Sequence, residues 1–254
     1  MPDTSPGASK PDDELGARTP WSAGAATVFG VIAVALSVLI AGFAQPLHAG
    51  LGDWIARGRG APGENPGLVA NTMITLIMMQ AVMTAMAWWG AGRFGGDRIR
   101  LLSLDRGLSL TPFLWGLGGM ILLLGPYNLL VYTLLPQQFA TDLRPMWDLA
   151  RSPVNWLVGL AVIIGAPVAE ELLFRGFLLP ALTKTSRGFW GAAVATTFGW
   201  TALHFYSIAG LIEVFAIGIY FAWLVRRYGT LWLPMALHAL YNGLQFAVLA
   251  SWPG

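Results

Sequence analysis

The feature that most constrains this chain is the length of its apolar runs. Seven stretches, at 22–46, 68–91, 109–134, 154–182, 189–208, 209–225 and 230–250, are 17 to 29 residues long and mostly uncharged. A bilayer-crossing helix needs about 20 such residues. Lipid offers no hydrogen bonds to the backbone, so each run is read as a helix that satisfies its own peptide groups. The alternating pattern of a membrane β-barrel is absent. Composition agrees: 56% of the residues are apolar and 11% charged, against about 25% charged in an ordinary soluble domain. A soluble enzyme and a disordered protein are excluded. Net charge is only +2 and the basic residues are scattered, which speaks against nucleic acid as a partner. With no cysteine, thiol catalysis, disulfides and iron–sulfur clusters are also excluded.

The expected fold is all-α: a polytopic transmembrane helical bundle of about seven spans, within a range of six to eight. It forms one domain over 22–250. Ahead of it, residues 1–21 carry Asp3, Asp12, Asp13 and Glu14 among Pro2, Pro6, Pro11 and Pro20. This segment reads as a polar, disordered tail and not as a signal peptide.

Ionisable groups inside the spans are expensive and so are the first functional candidates. Glu171 and Arg175 stand four apart in A-E-E-L-L-F-R-G, residues 169–176, with the acid N-terminal, the favourable order for an ion pair. They are read as a structural pair beside the site. Glu170 is turned about 100° from Glu171 around the helix axis and cannot share Arg175 equally. It is the leftover carboxylate and the candidate for chemistry. His238 and Asn242 lie four apart on one face in H-A-L-Y-N, and His204 closes W-T-A-L-H. Glu213 opens a short span, where snorkelling or one hydrogen bond accounts for it. Pro167 and Pro234 precede Glu170 and His238 and free backbone carbonyls nearby. Counting about 1.5 Å per residue, Glu170, His204, His238 and Asn242 all fall roughly 12–22 Å deep, so three helices can aim them at one point.

The order E-E-x-x-x-R, aromatic-x-x-x-H, H-x-x-x-N on successive helices resembles the CPBP (Abi) family. That family includes type II CAAX prenyl endopeptidases and bacterial bacteriocin-processing and immunity proteins. The motifs span 170–242, within a protease-like core at 154–250, and the middle one begins with Trp200 where the family has Phe. The resemblance implies an intramembrane endopeptidase acting on a membrane-associated peptide or protein substrate. Glu170 and His204 would activate water, with His238 and Asn242 completing the water site or binding the oxyanion. It leaves cofactor use open: none, or a divalent metal such as zinc held by Glu170, His204 and His238 from separate helices, since H-E-x-x-H is absent. Other classes compatible with the residues are a transporter with a proton relay and a non-catalytic immunity-type binding protein.

The loops give an orientation. Seven spans put ten Lys or Arg on the N-terminal side and four, Arg57, Arg59, Arg144 and Arg151, on the other. The positive-inside rule then makes the N-terminus cytoplasmic and the C-terminus external; a bacterial plasma membrane is the location expected from the resemblance. A tag placed at 185–187 is expected to react with reagents from the cytoplasmic face, and a tag after Gly254 to be shielded from them. The reverse pattern would show the orientation to be wrong.

Overall fold

In the computed structural model, residue 15 and residues 19–60, 65–93 and 96–251 are described. Eight principal helices follow one another: α1 (Ala23–Ala56), α2 (Pro66–Gly92), α3 (Leu110–Leu134), α4 (Pro136–Ala150), α5 (Asn155–Leu182), α6 (Gly188–Thr201), α7 (Ile208–Tyr228) and α8 (Trp232–Ser251). A single helical turn, Arg98–Leu101, sits between α2 and α3. No strand occurs among the described residues. Most of the expected N-terminal tail lies outside the described residues. Its last residue, Trp21, is buried and stacks on Phe177 with ring centroids 4.6 Å apart. Lys184 reaches back to the carbonyl of Trp21 at 3.1 Å, which ties this end of the chain to the segment after α5.

Helix α1 shows how a bundle in lipid is built. Its buried positions include Ala26, Gly30, Ala33, Ser37 and Ala41, all small and three or four apart. Its large residues face outward, Phe43 being 82% and Leu47 86% exposed. Lipid solvates large apolar side chains as well as a protein core does. Association therefore relies on close backbone approach, which small residues permit. Helices α1 and α2 pack along much of their length, and α2 continues onto α5. His48 lies inside α1, beyond the apolar run that ends at residue 46, is buried, and meets Thr75 of α2 at 3.3 Å.

Two expectations need correction. Six helices, α1, α2, α3, α5, α7 and α8, are long and apolar enough to cross a membrane, an even number that would put both termini on the same side, whereas the expected external C-terminus rests on seven crossings. The expected span at 189–208 is instead the 14-residue α6, roughly 21 Å long. The chain then leaves the helix for a turn at 202–207. His204 thus belongs to a turn, not to a span. Helices α6 and α7 pack together across that turn. The second correction is α4. The segment 135–153 was taken as a connection, yet most of it is an amphipathic helix with Phe139, Asp142, Leu143 and Met146 on its inner face.

Helix α5 is the irregular centre of the bundle. Two of its segments, Leu160–Gly165 and Glu171–Leu178, are π-helical, a widened geometry that recurs at functional sites. The first ends against Pro167. In a π register the residue five positions on donates to each carbonyl, but proline has no N–H to give Val162. Asn242 of α8 supplies the missing donor, its Nδ2 lying 2.8 Å from the Val162 carbonyl. Gln80 of α2 likewise donates to the Ala161 carbonyl at 3.0 Å. Gly165 makes room for this amide, since a Cβ there would fall 2.0 Å from Gln80 Oε1. Gly165→Ala is expected to lower the melting temperature of the detergent-solubilised protein, by overpacking worth about 1–3 kcal/mol. Adding Gln80→Ala should recover part of the loss. Equal melting of Gly165→Ala and wild type would refute the close approach.

Candidate active site

The most buried charges of the molecule form the back wall of the site. Arg175 Nη1 donates to Glu171 Oε1 at 3.1 Å, and both side chains are fully buried. Nη2 donates to the carbonyl of Gly218 on α7 at 3.3 Å. A side chain at 218 would have its Cβ 2.9 Å from that nitrogen and 2.5 Å from Thr197 Cγ2, so glycine is what lets α7 come close. The guanidinium carbon lies 4.3 Å from the ring centroid of Trp200, whose π face stabilises the cation. Arg175 Nε has no hydrogen-bond partner among the described residues, and this stacking is its only compensation from α6.

Glu171 has a second function that its spacing to Arg175 did not announce. His238 Nδ1 lies 3.1 Å from the same Oε1. That oxygen already accepts from Arg175, so the proton of this contact belongs to the imidazole. The neutral ring of His238 therefore presents an unprotonated Nε2. It becomes a donor at Nε2 only when it takes up a second proton.

Trp200 is the residue that sequence reasoning undervalued. It stands where the resembling family has Phe, and its indole Nε1 donates to Glu170 Oε2 at 2.5 Å. Its backbone carbonyl accepts from His204 Nδ1 at 3.0 Å. A carbonyl can only accept, so His204, like His238, presents Nε2 as its free basic nitrogen. The Trp200 ring also stands edge-on to both imidazoles, 5.0 Å from His204 and 5.8 Å from His238. The signal available in the sequence was the departure from Phe, which has no N–H to offer.

His204, His238 and Asn242 line one cavity of about 100 Å³, room for several water molecules. Glu170 is half-buried and does not line it, and Trp200 joins it to that cavity. The far side of the cavity is a polar cluster on α3, α7 and α8. Glu213 Oε1 accepts from Asn128 at 2.7 Å and from the Tyr241 hydroxyl at 2.6 Å, and Gln245 donates to that hydroxyl. Helix α4 closes another side. Asp142 accepts from the backbone N–H and the hydroxyl of Ser207, both at 2.6 Å, and Ser207 caps α7 through Gly210 N. Tyr206, in the same turn as His204, is 41% exposed as a whole residue, but its phenol group is buried. That burial, then the carboxylates of Glu170, Asp142 and Glu213, hold the phenol above its usual pKa.

Among the described residues, no three of His, Cys, Asp and Glu stand together as a ligand set. The Trp200 indole engages Glu170 Oε2, the Trp200 carbonyl His204 Nδ1 and Glu171 His238 Nδ1, which leaves Glu170 Oε1 and the Nε2 atoms of both histidines outside these bonds.

The architecture is that of an integral membrane protein with a polar cavity beside a buried ion pair. Residues 152–244 match the family model described as Type II CAAX prenyl endopeptidase Rce1-like, a relation consistent with the CPBP family and with a CAAX-type protease at the family level. No curated protein and no solved structure matches the chain.

Removing the carboxylate at 171 would leave Arg175 buried and uncompensated, which costs about 3–5 kcal/mol. Glu171→Ala is expected to fall well below wild type in yield and melting temperature in detergent. A melting temperature unchanged by Glu171→Ala would contradict the buried pair.

Proposed function

We propose that this chain is an intramembrane endopeptidase that hydrolyses a peptide bond in a membrane-associated substrate with water activated by Glu170 and His204. One observation carries the reading: Trp200 holds both groups, Glu170 through its indole N–H and His204 through its carbonyl. A carboxylate and an imidazole with a free Nε2 are thereby fixed on opposite parts of one residue, beside a cavity that admits water.

In this mechanism Glu170 takes the proton of the attacking water, which Nε2 of His204 orients by accepting its hydrogen bond, and returns that proton to the amine nitrogen as the peptide C–N bond breaks. His238 serves the oxyanion. Backed by Glu171, its imidazole can carry a second proton and donate from Nε2 to the developing negative charge. Asn242 uses one amide hydrogen on Val162 and keeps the other for the site. It thus positions α5 as well as facing the cavity.

The test is comparative terminomics on membranes holding wild-type protein or Glu170→Gln. Peptide termini present only with wild type, at equal amounts of the two proteins, are the expected result and would name substrate and cleavage site together. Identical termini with both proteins would sink the assignment.

A further inference from the structure

The charge around the cavity has one sign. Asp142 and Glu213 line it, and Glu170 lies behind Trp200. No Lys or Arg is among its lining residues. The Arg175 guanidinium is fully buried against the Trp200 ring and is already paired with Glu171. The lining also holds the imidazoles of His204 and His238, on the side away from Glu213 in the proposed chemistry. The lining is aromatic as well, with Tyr127, Phe139, Trp200, Tyr206 and Tyr241. Carboxylates with aromatic walls and no lysine or arginine among them are the chemistry that binds an ammonium or guanidinium. Glu213 is built for that. Both of its internal donors go to Oε1, which leaves Oε2 without a hydrogen bond among the described residues.

We propose that the cavity takes a basic side chain of the substrate, with Glu213 as its counter-charge. This deepens the endopeptidase reading by naming the substrate class, and it rests on that reading for the consequence that the basic residue lies beside the bond cleaved. A substrate ending in a short C-terminal motif would bring a free carboxylate toward the same place. Asp142 and Glu213 oppose that. The selectivity is then for an internal basic position in a membrane-associated segment, and against a chain end.

The probes are fluorescein-labelled apolar peptides, identical except at one central position that carries Lys, Arg, norleucine or Glu, plus a norleucine peptide with a free terminal carboxylate. Their binding to the protein in nanodiscs is read by anisotropy, and their cleavage by mass spectrometry. Wild type should bind the Lys and Arg peptides about tenfold tighter than norleucine, and the Glu and free-carboxylate peptides more weakly still. In Glu213→Gln the preference for Lys over norleucine should collapse toward unity, while Glu213→Asp should keep part of it. Equal binding across the wild-type series, or tighter binding of the anionic peptides, overturns the proposal whether or not the variants fold. Binding preference without cleavage of any probe would count against the endopeptidase reading and leave this inference standing. Cleavage without preference would do the reverse.

Discussion

A carboxylate and a guanidinium buried side by side in a membrane protein set the terms for everything around them. Neither Glu171 nor Arg175 has any exposure to solvent. Two ions removed from water cost several kcal/mol each, recovered only where geometry and further partners are good. The partners here come from three other helices. Gly218 of α7 gives its carbonyl, Trp200 of α6 its ring face, and His238 of α8 its Nδ1 proton. The pair therefore does more than neutralise itself. It fixes where four helices meet, and each of those four carries a residue of the candidate site.

Backbone satisfaction is the second constraint. A π-helical α5 interrupted by Pro167 would leave a carbonyl without a donor in a place where lipid has none to offer. Asn242 answers with its side-chain amide, and Gln80 adds a bond one residue earlier, to the Ala161 carbonyl that already accepts from the N–H of Ala166. The irregular stretch that ends five residues before Glu170 is thus held by α2 and α8 together. The orientation of Glu170 depends on contacts far from its own neighbours in sequence.

Much of this was legible from residue order. The apolar runs gave the helical bundle, because lipid leaves no other way to pair the backbone. The Glu171–Arg175 spacing gave a pair that the structure contains, because i,i+4 geometry is local. What was not legible depended on distance in space. The contact of His238 with Glu171 joins residues 67 positions apart. The indole of Trp200 looked like bulk because hydrogen bonding by tryptophan depends on what stands opposite. The end of α6 before His204 was hidden because W-T-A-L-H-F-Y reads as continuous apolar helix. Helix α4 was overlooked for the opposite reason: its polar face masked an inner stripe at 139, 142, 143 and 146.

The bond between Asp142 and Ser207 has a kinetic meaning. Helix α4 forms one wall of the cavity, and two short hydrogen bonds fasten it to the residue that caps α7. To swing α4 aside, both bonds must break where replacement donors are scarce, while the cap of Ser207 on Gly210 N stays in place. Passage of any molecule along that side therefore has an activation barrier of its own. Its height is set by Asp142, a residue outside the chemistry proposed for the cavity.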